Sequence, residues 1–143
     1  MKINYWLMKS EPSTWSWKNQ VDEVIAMWDG VRNYQARNNL MKMKKGDLCF
    51  FYHSVVEKSV VGVVEVVKEY YTDPTDKTGK FVVVDVKSKY KMKKPVTLEQ
   101  IKNNSKLNQI PLVKQSRLSV MPLTKKEWDE IINMSSNSSN SYD

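Results

Sequence analysis

Asp47-Leu48-Cys49-Phe50-Phe51-Tyr52-His53 is nearly continuous in apolar and aromatic residues. A run of this kind reads as a β-strand covered on both faces, and such a strand needs a layer on either side. The rest of the chain is therefore read outward from it. On its N-terminal side, Gly46 suits the residue just past a helix, and Lys42, Lys44 and Lys45 suit the negative end of a helix dipole. Ala36, Leu40 and Met43 fall at i, i+4 and i+7, which predicts a helix from the Asp29-Gly30 turn to about Met43. On that helix Asn33 and Arg37 share a second face, one turn apart. Earlier still, residues 3–8 read as a first strand. Pro12 stops it by biasing Glu11 away from helix. Ser13 or Ser16 then caps a short helix carrying Trp15, Trp17, Val21 and Val24. Four of the five tryptophans lie in the first 28 residues, which points to one aromatic-rich locus.

On the C-terminal side, residues 60–67 form a valine-rich strand, with Gly62 a bulge or a close-approach site. Residues 71–79 form a loop by their Pro, Gly and Asp content. Residues 81–93 alternate as a strand: Val82, Val84, Val86, Tyr90 and Met92 face one way, and Asp85, Lys87, Lys89, Lys91 and Lys93 the other. Thr97 with Gln100 makes a capping box and Val96 with Ile101 a hydrophobic staple, so a short helix follows to about Asn103-Asn104. Residues 118–123 read as a last strand, at a sheet edge because it carries Pro122. Thr124 with Glu127 and Leu123 with Trp128 repeat the box and staple before a final helix whose apolar face is Trp128, Ile131 and Ile132. From Met134 the Ser/Asn-rich end is expected to be disordered. The chain is expected to form one α+β domain, residues 1–133 with a tail 134–143, as a strongly bent sheet or small barrel flanked by helices.

The 143 residues are enough for one domain with a buried core, and 23 basic against 16 acidic side chains leave a net charge of +7. Such a surplus favours polyanions, although a Lys- and Asn-rich compositional bias yields it without any partner. No apolar run is long enough to span a bilayer, and Met1-Lys2-Ile3-Asn4-Tyr5-Trp6 has no signal-peptide apolar core. With a single cysteine, Cys49, the expectation is a reducing intracellular setting: cytoplasmic in a bacterium, nuclear in a eukaryote. The Asn-x-Ser matches at Asn103, Asn133 and Asn137 carry no glycosylation meaning there.

Catalytic chemistry finds little support. Cys49 and His53 would stand roughly 13 Å apart on one strand face, too far for a nucleophile and its base. One His and one Cys make no zinc or haem site, so neither metal nor cofactor is expected. The four glycines, at 30, 46, 62 and 79, are too scattered for a phosphate-cradling loop. Asp73 and Asp76 sit in a loop with no defining context.

Binding finds more. Trp28-Asp29-Gly30-Val31-Arg32-Asn33-Tyr34-Gln35-Ala36-Arg37 combines an indole, an amide and two guanidinium groups. That suits stacking, edge reading and phosphate contact at a nucleotide site. It equally suits a glycine turn, an amphipathic helix and a tryptophan core plug, and on residue chemistry both readings stand. Lys87, Lys89, Lys91 and Lys93 would lie about 6.6 Å apart, a phosphate-like spacing that also serves to protect a sheet edge. Gln115-Ser116-Arg117-Leu118-Ser119-Val120 brings an arginine and two hydroxyls to a strand entry. Tyr52-His53-Ser54 brings polar tips to a strand end.

In this order, the following blocks resemble the EVE domain family, a PUA-like fold group, and within it the thymocyte nuclear protein group and its bacterial counterparts. They are Tyr5-Trp6-Leu7-Met8-Lys9-Ser10-Glu11-Pro12, the run from Trp28 to Leu40, Lys45-Gly46-Asp47, Phe51-Tyr52-His53-Ser54, Val61-Gly62, Asp73-Pro74-Thr75 and Arg117-Leu118-Ser119-Val120. The resemblance spans about residues 3–132. It implies a PUA-like bent sheet or pseudobarrel, similar in architecture to YTH domains, that holds a modified base, a cytosine or adenine such as 5-methylcytosine. DNA stands ahead of RNA, and no catalytic set is implied. On it, Trp28 is a stacking wall, while Ser10, Asn33 and Ser54 offer edge hydrogen bonds; Leu118 and Ser119 join that pocket. Tyr52 and His53 line its mouth. Arg32, Arg37 and Arg117, with Lys9, Glu11, Lys89 and Lys91, brace the pocket or meet phosphate. Asn33 can equally be a structural amide that holds the loop.

Two departures stand out: the segment from Thr75 to Phe81 is short where relatives carry a longer insertion, and Thr72 replaces the usual proline. The alternative is a small hydrolase of modified nucleosides or RNA, by analogy with ASCH-type PUA-like folds, with Lys9, Glu11 or His53 as its base or nucleophile. A protein- or metabolite-binding module is a third reading. Nothing in the sequence sets an oligomeric state.

Overall fold

The computed structural model describes residues 2–137. The chain runs β1 (Tyr5–Ser10), α1 (Trp17–Glu23), β2 (Ile25–Met27), α2 (Tyr34–Lys42), β3 (Leu48–His53), β4 (Ser59–Thr72) and β5 (Val82–Thr97). It continues with α3 (Leu98–Lys102), α4 (Pro111–Lys114), β6 (Val120–Leu123) and α5 (Lys125–Asn137). The strands form one mixed sheet in the order β2-β5-β4-β3-β1-β6. β1 and β3 are parallel, and every other pairing is antiparallel. The expected α+β single domain with a bent sheet and flanking helices is what forms. The bend comes with four register irregularities along the long β4–β5 pair, since an extra residue in one strand turns it and tightens its twist.

β3 is covered on both faces, as its apolar run predicts. Its residues Phe50 and Phe51 point to opposite sides, the first meeting one indole and the second two. Phe50 stacks on Trp128 of α5 at 3.7 Å. Phe51 meets Trp17 edge-on at 5.3 Å and Trp28 at 5.4 Å. Cys49 is a buried core residue, and burial pushes its thiol well up, away from reactivity. Asp47 closes the entry to β3: its buried carboxylate accepts from the Asn4 and Lys44 backbone N–H groups and from the Trp6 indole N–H.

Capping chemistry sets several boundaries as the sequence indicates. Ser16 caps α1 in a box completed by Asn19, and Thr97 and Gln100 cap α3 reciprocally. Thr124 and Glu127 exchange the same pair of bonds at α5. β6 is an edge strand and carries Pro122. The short turn after Thr75 closes on itself. Asp76 accepts from Thr78, Lys80 and Phe81, and the Thr78 hydroxyl bond leads in holding its carboxyl down at about 2.

Four expectations need correction. α1 stops at Glu23, because Val24 takes φ +68°, and β2 follows unforeseen. Three residues are too few to show a period. α4 has no counterpart in the reading, being one turn opened by Pro111. The lysine row of β5 is not straight: Val64 pairs with Ser88 and Val63 with Tyr90, leaving Lys89 as the extra residue of a bulge. Tyr90, expected to face inward, is 44% exposed. Finally, α5 continues past Met134 to Asn137, because the buried Ser135 hydroxyl bonds both the N–H and the C=O of Lys94. The remainder of the expected tail, 138–143, lies outside the described residues.

Gly62 proves to be both a bulge site and a close approach. The register shifts between it and Val60, and a Cβ there would lie 2.4 Å from the Trp17 indole. Gly62→Ala should therefore lower stability by about 1–3 kcal/mol through overpacking, read as a lower urea midpoint. Trp17→Leu in the same background should recover part of the loss, because it removes the clashing ring.

Candidate functional site

The parallel pairing of β1 and β3 ends with Ser10 opposite His53, and the Ser54 N–H continues it onto Ser10 C=O at 2.9 Å. Both strands thus finish on the same side of the sheet. The crossover between them (α1, β2 and the loop to α2) lies beside that end and encloses a cleft of about 660 Å³, within the usual range for ligand sites. Trp15 and Trp28 both line it, with Lys9, Ser10, Glu11, Thr14, Glu23, Met27 and Asp29. Trp28 is held through its N–H to Val84 C=O and its contact with Phe51, and is 7% exposed. It is therefore a core residue whose remaining surface faces the cleft. Trp15 is oriented by the fully buried Gln20, whose Oε1 accepts the indole N–H while its amide donates to Val24 and Val86 C=O.

The sequence reading did not single out Trp15 or Gln20 for the site. The crowding of tryptophans near the N-terminus was the signal for Trp15. Nothing in the sequence marked Gln20, whose partner Val86 is 66 residues away.

The other expected site residues divide into neighbours and braces. Ser10 is in the cleft, though its hydroxyl donates to Trp15 C=O. Lys9 is half-buried between the cleft and a second hollow, which it lines with Tyr52, Ser54, Lys58, Ser116 and Arg117. Burial lowers its pKa, and its ammonium donates to Ser116 C=O at 2.6 Å. Burial also pushes the Tyr52 phenol up to about 12. Ser119 supplies the carbonyl that accepts Lys9 N–H, and Leu118 is buried. Asn33 and Leu118 border a third hollow with Gln35, Ser116 and Arg117.

Asn33 is the N-cap of α2: its Oδ1 accepts Ala36 N–H at 2.9 Å, so the structural-amide reading holds for that oxygen. His53 does not line a mouth. It is buried, Nε2 accepts the Trp17 backbone N–H at 3.0 Å, and Nδ1 meets Glu57 at 2.6 Å. An acceptor at Nε2 places the ring proton on Nδ1, facing the carboxylate.

The arginines separate clearly. Arg32 donates to Asp73 and Thr75, and Arg37 to Lys80 C=O and Asn38 while lying over the Tyr34 ring. Arg117 is exposed and makes no hydrogen bond among the described residues. Lys89 pairs with Glu65 and, with Lys91, lines a separate groove beside Trp17, Val21 and Tyr90. Neither reaches the cleft.

One buried carboxylate sets the cleft rim. Asp73 is 0% exposed and accepts from Gly30 N–H, Arg32, Thr75 N–H and Thr75 Oγ1. This ties the loop after Trp28 to the β4–β5 turn and explains the Asp73-Pro74-Thr75 block. No group of three or more metal-ligating side chains occurs among the described residues, and no helix there is long and apolar enough to cross a membrane.

The EVE domain family model matches residues 4–134. Mouse thymocyte nuclear protein 1 is 36% identical, over 92% of this chain and 73% of that one. A solved structure from Rhodopseudomonas palustris superposes with a TM-score of 0.89 at 46% identity, covering 94% of both chains. Human THYN1, solved in complex with 5-methylcytosine-containing DNA, gives a TM-score of 0.80 at 32% identity, over 92% of this chain and 97% of that one. ASCH from Zymomonas mobilis, at 11% identity and a TM-score of 0.58, shares the fold alone.

The Asp73 network yields a pH signature. Burial alone would raise its carboxyl, but the bonds from Thr75, Gly30 and Arg32 outweigh it and hold the pKa below the usual value. A depressed folded-state pKa means the stabilisation is complete well above the unfolded value of about 3.9 and is lost as pH falls through the folded value. Asp73→Asn should cost about 1.5–3 kcal/mol at pH 7. The gap to wild type in urea unfolding should narrow steadily between pH 5 and pH 3; a gap that stays constant would contradict the assignment.

Proposed function

The chain belongs to the EVE domain family and has its PUA-like fold, and from that premise we propose that it is a non-enzymatic DNA-binding module that reads a modified base in the Trp15–Trp28 cleft. The observation that carries the reading is the cleft itself, with two indoles, hydroxyls and carboxylates gathered at the joint end of β1 and β3. An everted base needs an aromatic surface and groups that read its edge. The family relative solved with 5-methylcytosine-containing DNA supports DNA ahead of RNA as the partner.

The cleft's own chemistry narrows the base. Glu11, Glu23 and Asp29 line it against a single cation, Lys9. Carboxylates accept the exocyclic amino group of cytosine, and adenine also carries an amino donor. Met27 and Ile25 add apolar surface suited to a methyl substituent. Three carboxylates would repel phosphate, so the backbone is held outside the cleft, on the flank where Arg117 and Lys58 lie. Of the arginines assigned to phosphate in the sequence, Arg117 has a guanidinium without a partner among the described residues, while Arg32 and Arg37 act as braces.

The hydrolase reading loses ground on the same geometry. The Lys9 ammonium is given to Ser116 C=O, His53 is held at both ring nitrogens, and Glu11 accepts the Ser13 hydroxyl. That leaves Glu11, with its second carboxylate oxygen open, as the one candidate base, and no nucleophile is paired with that oxygen among the described residues. An intracellular setting, nuclear in a eukaryote and cytoplasmic in a bacterium, belongs to the same proposal.

Fluorescence anisotropy with 5-methylcytosine and unmodified oligonucleotides at two salt concentrations tests the reading. Base–aromatic stacking is worth about 1–3 kcal/mol, so Trp15→Ala should weaken modified-base binding by about one to two orders of magnitude, equally at both salts. Trp28→Phe, chosen to keep an aromatic in the core, should cost less. Arg117→Ala should weaken all oligonucleotides alike and reduce the salt slope by about one. Undiminished affinity in folded Trp15→Ala would move the site elsewhere.

A further inference from the structure

We propose that the tip Val55-Val56 is a wedge that enters the base stack of a duplex beside the everted base, a role that rests on the cleft being a base pocket. Val56 and Val55, at 75% and 61% exposed, are the most exposed large apolar side chains among the described residues. Single surface apolars need no explanation, but two adjacent ones on a stiff projection do.

The projection is stiff for identifiable reasons. Val56 N–H bonds Ser54 C=O at 2.8 Å around Val55 at φ +72°, a tight three-residue turn of the rarer, strained hand. A β-branched residue at positive φ is a true outlier, and such outliers cluster at functional sites. Lys58, at φ +49°, is a second residue at positive φ in the same loop. Three contacts hold the loop's base. His53 and Glu57 clasp it across at 2.6 Å, Ser54 N–H is fixed to Ser10, and Lys58 C=O accepts Leu98 N–H. The tip is presented in one place.

Its surroundings select the occupant. Ser54 is bonded to Ser10, which lines the cleft, so the tip rises directly beside the proposed base pocket. Val55 itself borders the hollow at the tip's foot, where Lys9, Lys58 and Arg117 stand beside Leu98 and Leu112. An apolar prong with cations along one flank, and Glu57 tied back to His53 on the other, complements a partner whose outside is anionic and whose inside is apolar and stacked, which is duplex nucleic acid. Architectural proteins use apolar side chains in this manner to unstack base steps. Taking a base out of a duplex costs stacking and pairing energy, and a side chain that occupies the opened step offsets part of that cost.

The test uses Val55→Gly with Val56→Ser. Glycine takes φ +72° without strain, so the turn is kept while the prong is removed; Val56→Met keeps an apolar tip. Affinity is measured for 5-methylcytosine in a single strand, in a matched duplex and in a duplex where it faces an abasic site. A 2-aminopurine neighbour reports unstacking. The wedge predicts that the double variant matches wild type on the single strand to within about twofold. It predicts a loss of about tenfold or more on the matched duplex, recovery opposite the abasic site, and a smaller 2-aminopurine rise. Val56→Met should behave as wild type. Equal matched-duplex affinity for wild type and the double variant overturns the wedge while leaving the pocket standing. Wild-type protein with no preference for the modified base in any context overturns the pocket reading and the wedge with it.

Discussion

The in-register parallel pairing of β1 with β3 is the constraint on which the rest of the molecule depends. Parallel strands cannot be joined by a tight turn, so the chain must leave Ser10, cross over, and return at Leu48. That crossover carries α1, β2 and α2. Because the strands run the same way, they finish together, and Lys9-Ser10-Glu11 emerges beside Tyr52-His53-Ser54. The cleft, the cationic hollow and the valine tip all follow from this one geometric fact. An antiparallel β1 would have put these two tripeptides at opposite ends of the sheet.

The residues that brace the fold differ from those proposed to bind, although residue type alone does not separate them. Asp47 fastens the entry of β3, Asp73 the loop beyond Trp28, and His53 both the start of α1 and the foot of the loop at 54–58. Each is a buried polar group with its hydrogen-bonding capacity met inside the protein, as burial requires. Arg32 and Arg37, although not buried, also brace, tied across 41 and 43 residues to the β4–β5 turn. Arg117 differs from these arginines in having no such partner among the described residues. The division between structural and interactive groups is thus one of hydrogen-bond saturation.

The sequence was legible where local rules governed the outcome. The capping boxes at Thr97 and Thr124, a serine cap at Ser13 or Ser16, the edge proline Pro122 and the doubly covered strand around Phe50-Phe51 depend on neighbours a few residues away. The resemblance to the EVE family carried the overall fold. What escaped depends on distant partners. β2 exists because β5 offers it a ladder, and Lys89 leaves its expected row because β4 and β5 differ by one residue. Ser135 belongs to α5 because it meets Lys94. The same holds at the site. Trp28 was visible by its company in the chain, whereas Gln20, which aims Trp15, was not. Asn33 was weighed as both reader and brace, and only the bond to Ala36 decides that its oxygen is a cap.

Charge is distributed around this end of the sheet in a way that the net value of +7 conceals. Acidic side chains border the cleft, and cationic ones border the hollow beside it. Lys9, lying between the two, lines both and is pinned to Ser116 C=O. A uniformly basic surface would bind any polyanion through its phosphates and carry no selectivity. On the proposed function, a cation-lined flank beside a carboxylate-lined cleft would separate the two tasks. The flank would hold a backbone, and the cleft would admit what can donate hydrogen bonds to it without bringing negative charge. Selectivity of this kind depends on the acids staying apart from the flank, and the short turn after Thr75 bears on that separation. Closed on itself through Asp76, it leaves Asp73 free to fix Gly30, and so holds the Asp29 rim in place without a long insertion folding over it.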